Sequence, residues 1–393
     1  MKIAFIGTRG VPANYSGFET FVEQLGARLA DDGHEVVVYC RKHHTKFEGD
    51  NYRGMKLVNV PTIANKYLDT LVHSILSMYH AVLIGVPDLI YVCGQGNAVT
   101  LLIPRIHGIP AIINVDGPDW ERQKWNRFAQ WFLKFSEKVA VQLGNTVIAD
   151  SKQVQKYYKK NYQAETTFIA YGADIPSERP KSGTLEEYGL KERGYFLFVG
   201  RLVPENCAHH LVEAFESLDT DMKCVIVGDA PYAEEYISSL KSTTNPNVIF
   251  TGYVFGEGYK ELGSHAYAVC LTSEVGGTHP ALLEAMAFGN CVIVNDIPTN
   301  LETIGGAGLS YKGSGGAEAL REQLQWTLDN PEQVEDYRLQ AQRRIRSEYS
   351  WEVITERYTR LFERITAKTD TNHTSSYTES EENDRSGRTL EAK

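Results

Sequence analysis

Short runs of β-branched and aromatic residues recur along this chain, each closing on a turn former, and helix-length segments separate most of them. The first series is "MKIAFIG", "HEVVVYC", "DLIYVCG", "AIINVDG" and "NTVIADS". "GFETFVEQLGARLADDG" and "YLDTLVHSILSMYHAVLIG" are two of the intervening helices. Strands this apolar are buried on both faces, and their alternation with helices predicts a parallel α/β sheet. The pattern pauses at "ERPKSGTLEEYGLKERG", a polar linker, and then starts again with "YFLFVG", "KCVIVGD", "VIFTG", "AVCLTS", "CVIVND" and "GLSYK". Two such series predict two Rossmann-like domains facing a cleft. The expected boundaries are an N-terminal domain over 1–178, a linker over 179–194 and a C-terminal domain over 195–349. A capped amphipathic helix follows over 350–366, packing back toward the N-terminal domain, then a disordered tail over 367–393.

Composition narrows the function. A net charge of −10 over 393 residues disfavours a nucleic-acid partner. No apolar run reaches the ~18 residues of a membrane span. The N-terminus lacks the regions of a signal peptide. The six cysteines form no CxxC pair and read as reduced packing residues of a cytoplasmic protein.

The first loop, "GTRGVPANYSGFET", is glycine-rich, but Gly7-Thr-Arg-Gly10 is not a dinucleotide fingerprint, and no acid closes the second strand to hold a ribose. A dehydrogenase is therefore set aside. Arg9 still faces the usual ligand crevice of an open α/β sheet.

The second series carries more. In "SEVGGTHPALLEAMAFGNCVIV", Pro280 suits only the first turn of a helix, so the amides of Gly277, Thr278 and His279 face whatever precedes it. A helix start favours an anion, and Gly276 and Gly277 permit close approach of a phosphate. Glu284, farther into the helix, is placed to reach sugar hydroxyls. Arg201, Gly228-Asp229-Ala230 and Gly252-Tyr253-Val254 follow three further strands. Each is an ordinary turn by itself; together they suit one extended ligand.

With "VDGPDWERQKW", "VGRLVPEN", "VGDAP", "FTGY", "GGTHPALLEAMAFG" and "SWEVITERYTRLF", the chain resembles GT-B retaining glycosyltransferases of family 4 over roughly residues 1–366. It looks closest to bacterial rhamnosyltransferases of polysaccharide assembly. The resemblance implies a nucleoside-diphosphate (NDP) sugar on the C-terminal domain. Arg201 would bind the diphosphate, Glu284 the ribose, and Tyr253 and Val254 the base, with Gly228, Asp229, Gly276, Gly277 and Thr278 completing the donor site. It also implies an acceptor on the N-terminal domain near Arg9, Gly10, Gly17 and Glu19. The reaction expected is transfer of a hexosyl group, rhamnosyl from dTDP-L-rhamnose, to a polyprenyl-diphosphate-linked saccharide. Such enzymes use front-face attack without a protein nucleophile. Asp116 would orient the acceptor hydroxyl, and Arg201 with the helix amides would stabilise the leaving group.

Two departures from the family pattern stand out. The first glutamate of Glu-x7-Glu is Gly276, with Glu274 out of register, and the lysine after "GRLxPE" is Asn206. Other readings are a UDP-hexose donor, an epimerase of the same fold and a non-catalytic sugar-nucleotide sensor. No cofactor or metal is expected: "DTD" at Asp219–Asp221 reads as a surface turn, and no third ligand is evident for His43-His44 or His209-His210.

One helix adds a partner. At 100° per residue, Trp125, Phe128, Phe132, Phe135, Val139 and Leu143 share a face predicted to pack on the core. Lys124, Arg127, Lys134 and Lys138 form a stripe around Trp131. That stripe predicts reversible binding to an anionic membrane surface, the cytoplasmic face of the cell membrane.

Overall fold

The computed structural model describes residues 1–13, 17–44, 47–63, 69–115, 117–118, 120, 126–231 and 233–367. Asp116, Lys124, Trp125 and the tail 368–393 lie outside the described residues.

The chain forms two compact α/β units. One holds Met1–Ala149, Tyr157–Ile169 and the residues from Thr355 on; the other holds Asp150–Lys156 and Ala170–Ile354. The first contains β1 (Lys2–Ile6), β2 (Glu35–Arg41), β3 (Asn51–Tyr52), β4 (Met55–Val60), β5 (Leu89–Cys93), β6 (Ala111–Val115), β7 (Thr146–Ala149) and β8 (Thr167–Phe168). They pair in the order β3-β4-β2-β1-β5-β6-β7-β8. Every pairing is parallel except the β3–β4 hairpin. The fully buried strands β5 and β6 are the apolar runs read from the sequence.

The second unit contains β9 (Tyr195–Val199), β10 (Lys223–Val227), β11 (Val248–Gly252), β12 (Ala268–Leu271), β13 (Cys291–Asn295) and β14 (Leu309–Tyr311). Their order is β11-β10-β9-β12-β13-β14, all parallel. Both predicted series are present. The order reverses between β1 and β5 in one sheet and between β9 and β12 in the other, the point where open α/β sheets bind ligands.

The stretch 179–194, predicted as a linker, lies within the second unit. Its helix Thr184–Glu187 is held by the buried Glu261, which accepts from the amides of Ser182 and Thr184 at 2.9 and 2.8 Å. The C-terminal helix 351–367 places Tyr358 and Phe362 in the first unit, where the Tyr358 hydroxyl lies 3.2 Å from that of Tyr91. All six cysteines are free and buried.

Candidate functional site

The candidate donor site lies along the carboxyl edge of the second sheet. After β9 the chain turns at Gly200 and presents Arg201, exposed. After β10 it turns at Gly228, and the two turns are laced together. The Gly200 amide donates to Val227 at 3.0 Å, the Gly228 amide to Gly252 at 2.8 Å, and the Leu202 amide to Asp229 at 3.3 Å. Gly228 has φ +138°, and a Cβ there would lie 1.9 Å from the Gly200 carbonyl oxygen. Only glycine permits both that conformation and that approach. Asp229 folds its carboxylate onto the Ala230 amide at 2.8 Å.

After β11 come Tyr253 and Phe255, exposed and stacked at 5.6 Å with 16° between their planes. Val254 lies between them. Sequence reasoning named Tyr253 and Val254 and missed Phe255.

After β12 the glycine loop leads into the helix Pro280–Ala287, with His279 as its N-cap residue. Gly276 has φ +141°. At Gly277 a Cβ would meet the Asp150 carboxylate at 2.2 Å, and the Thr278 hydroxyl donates to the Asp150 carbonyl at 2.6 Å. The glycines thus answer first to the packing of Asp150 and the His279 ring, as well as to any ligand. Asp150 was not read from the sequence.

Asn206 has a structural role. Its side-chain amide donates to the Arg201 carbonyl at 2.8 Å, and its backbone carbonyl accepts from the Thr272 hydroxyl at 2.6 Å. The loop bearing Arg201 is so tied to the glycine loop through a neutral residue. Glu274 joins the same tie, its amide donating to Glu205 at 3.0 Å.

Glu284 sits one and a half turns into its helix and accepts from the Tyr259 hydroxyl at 2.5 Å. Burial pushes its carboxyl above the usual range and Asp174 adds repulsion, while the Tyr259 bond and Lys260 oppose them. An acid held above its ordinary 4.5 stabilises the fold at low pH, and that contribution is lost as pH rises from there through the raised value. Glu284→Gln removes this loss. The ligand-free variant is expected to unfold at or above the parent's temperature at neutral pH, with less decline above pH 5, yet to bind NDP more weakly. Thermal unfolding at pH 5 and pH 7.5, with and without nucleotide, reads both; a destabilised ligand-free variant at pH 7.5 contradicts the assignment.

In the first unit, the loop after β1 carries Arg9 and Gly10. The buried Glu19, in the first turn of the helix Gly17–Asp31, accepts from the Arg9 amide at 2.9 Å. Gly10 has φ +115°, and a Cβ would lie 2.6 Å from Cys40 Sγ. Glu19 therefore positions this loop. His43 and His44 gain a third group, since Asp69 lies 3.5 and 3.3 Å from their Nε2 atoms. Arg41 pairs with the same carboxylate at 2.7 Å. His209 and His210 gain Cys207. The reading that no third group accompanies either pair is corrected: Asp69 is distant in sequence, and Cys207 lies two residues ahead of His209.

The aromatic helix also corrects its prediction. It spans Arg127–Leu143, capped by Asn126, and buries Leu133, Ser136, Glu137 and Ala140. Phe128 and Phe135, predicted to face the core, are exposed with Trp131, which stacks on Phe135 at 5.8 Å and 7°. The cause is Glu137, which accepts hydrogen bonds from Tyr157 and Tyr162 and so turns a polar position inward. Arg127, Lys134 and Lys138 remain exposed, with Lys134 Nζ 3.7 Å above the Trp120 ring.

The helix Asp69–His80, the segment Gln95–Ile106 and this helix connect β4–β5, β5–β6 and β6–β7, all advancing in one direction across the sheet. Right-handed crossovers place them on one face. That layer exposes Ile84 (71%), Ile106 (72%), Phe128 (73%) and Trp131 (60%). Arg105 donates to the Gln142 carbonyl at 3.3 Å, joining two of its segments. No helix among the described residues is long and apolar enough to cross a membrane.

Comparison with known proteins accords with this geometry. Residues 184–344 match the family described as glycosyl transferases group 1, and residues 1–174 match a domain of unknown function, DUF1972. D-rhamnosyltransferase WbpZ of Pseudomonas aeruginosa is 31% identical over 196 residues, 48% of this chain and 50% of that one. Alpha-D-kanosaminyltransferase of Streptomyces kanamyceticus is 25% identical over 222 residues, 52% of this chain and 58% of that one. The chain thus spans about half the length of the curated relatives it matches. Among solved structures, HepE of Anabaena in complex with UDP superposes with a TM-score of 0.74 at 18% identity, covering 93% of this chain and all of that one. Sucrose-phosphate synthase of Thermosynechococcus elongatus gives 0.79 at 21% identity, covering 93% and 99%. The fold is GT-B, with two parallel-sheet Rossmann-like domains.

Proposed function

We propose, for a chain that joins a glycosyl transferases group 1 domain at residues 184–344 to a DUF1972 domain at residues 1–174, that it transfers a hexosyl group from an NDP-sugar with retention of configuration. The observation that carries this reading is the convergence of Arg201, Gly228-Asp229, Tyr253, Gly276–Thr278 and Glu284 on the carboxyl edge of one sheet. Arg201 and the start of the helix Pro280–Ala287 receive the diphosphate, Glu284 the ribose, and the stacked Tyr253 and Phe255 flank the base. The acceptor oxygen bonds to the anomeric carbon as the sugar–phosphate bond breaks. Its proton passes to a leaving-phosphate oxygen, with Asp116 orienting the hydroxyl. Charge on the leaving group is met by Arg201 and backbone amides. The transfer step uses no magnesium: activity lost to EDTA and restored by magnesium would overturn that.

The donor we assign is dTDP-L-rhamnose. The support is a glycine loop whose first acid is replaced by Gly276; the similarity to D-rhamnosyltransferase WbpZ favours a rhamnosyl group, although that protein's name gives the D sugar. A UDP-hexose is the second reading, favoured by HepE, whose structures include a complex with UDP-glucose. A thermal-shift panel of NDP-sugars decides between them. Stabilisation by dTDP-rhamnose above all others is expected, and a clear preference for UDP-glucose would sink the rhamnosyl assignment.

The acceptor we assign is a polyprenyl-diphosphate-linked saccharide, held by the first unit near Arg9, Gly10, Gly17 and Glu19. The enzyme meets it at the cytoplasmic membrane face through the exposed Phe128-Trp131-Phe135 ridge and its basic neighbours Arg127, Lys134 and Lys138. Each basic residue near anionic lipid contributes about 1 kcal/mol, and tryptophan favours the interface. The Lys134→Glu, Lys138→Glu double variant is expected to lose salt-sensitive binding to anionic liposomes while keeping the parent's unfolding temperature. A parent that ignores anionic liposomes at low salt would refute the membrane role.

A further inference from the structure

The start of the helix Ala208–Glu216 brings a thiol and two imidazoles together. One ligand atom each of Cys207, His209 and His210 lies within 4.8 Å of the others. Cys207 is 3% and His210 8% exposed. Both rings are oriented by tyrosine hydroxyls: His209 Nδ1 lies 3.0 Å from that of Tyr236, and His210 Nδ1 lies 3.2 Å from that of Tyr311. A fixed partner on one ring nitrogen sets the tautomer and leaves Nε2 to ligate a metal. The Cys207 thiol donates to the Pro204 carbonyl at 3.2 Å, and Glu274, from the loop after β12, lies beside it.

Sulfur and two imidazole nitrogens form a donor set for Zn²⁺, which takes four ligands tetrahedrally and can complete them with water. Magnesium and calcium prefer oxygen ligands throughout. The aspartate cluster at His43-His44 is a poorer candidate, because the Arg41 guanidinium already holds its carboxylate.

We propose that Cys207, His209 and His210 form a Zn²⁺ site at the end of the loop after β9, with water completing its coordination. Asn206, one residue away, hydrogen-bonds that loop to the loop after β12. The metal would fix the loop that carries Arg201 and take no part in the transfer step. Binding breaks the Cys207 S–H bond, forms the S–Zn bond and releases the proton to solvent. The site stands or falls independently of the glycosyltransferase reading.

The test is a titration of the full-length, chelator-treated protein with Co²⁺, followed by displacement with Zn²⁺. Expected are one equivalent bound per chain, a near-ultraviolet thiolate-to-cobalt band, loss of that band on Zn²⁺ addition, and its absence in Cys207→Ser. His209→Ala, which keeps the thiol, is expected to bind Co²⁺ at least tenfold more weakly. A folded parent without the band, or the same band in Cys207→Ser, overturns the proposal. If Cys207→Ser fails to fold by circular dichroism, the His209→Ala, His210→Ala variant decides, and parental Co²⁺ affinity there overturns it.

Discussion

Arg201→Ala is expected to lower kcat/KM by about 10²–10³, the loss seen when one preorganised donor to a developing charge is removed. Arg201 is exposed on a turn whose backbone is held by others, through the Gly200 amide on Val227 and the Asn206 amide on the Arg201 carbonyl. Deleting its guanidinium leaves those bonds in place, so the fold should be unaffected. NDP affinity should fall roughly 10- to 100-fold, since a charge-assisted hydrogen bond contributes about 1.5–3 kcal/mol. Arg201→Lys should recover part of the binding, because an ammonium supplies charge without the bidentate fork. Calorimetric titration with NDP and initial rates measure the two effects. A variant that binds NDP as tightly as the parent means that the diphosphate lies elsewhere.

Gly228→Ala is expected to cost about 3–5 kcal/mol of stability, combining strain at positive φ with overpacking. Its Cβ would fall 1.9 Å from the Gly200 carbonyl oxygen, backbone that has no room to yield because the two turns are hydrogen-bonded together. For a unit of this size that shifts the unfolding midpoint down by roughly 6–20 °C. Gly183→Ala is the control: φ is +85° there, but nothing lies within 4 Å of the added Cβ. Only the conformational cost remains, about 1 kcal/mol. Equal effects at the two positions would show that the close approach at Gly228 is not what demands glycine.

The strands were legible because β1, β2, β5 to β7 and β9 to β14 are apolar runs, mostly buried, that end in turn formers. The β3–β4 hairpin was missed because β3 is two residues long and its turn, Arg53-Gly54, is marked by a single glycine. The candidate residues Arg201, Gly228, Asp229, Tyr253 and Val254 were legible because each lies within two residues of a strand's end, so position along the chain is position on the sheet edge. What escaped notice depends on distant partners. Tyr259 reaches Glu284 across 25 residues, Asn206 reaches Thr272 across 66, and Thr278 reaches Asp150 across 128. The aromatic helix failed for the same reason. Periodicity locates an apolar stripe, but Tyr157 and Tyr162, 20 and 25 residues on from Glu137, decide which stripe is buried.

The proposed passage of a sugar from an NDP-sugar held by Arg201 and Glu284 to a lipid-linked saccharide is measured by incubating the protein with NDP-sugars labelled in the sugar, with and without a polyprenyl-diphosphate saccharide. Label is expected in the lipid fraction from dTDP-rhamnose, with the anomeric configuration retained, only when the acceptor is present, and lost in Arg201→Ala. Label converted to an epimeric nucleotide sugar without acceptor, or bound but never transferred to any acceptor, would contradict it.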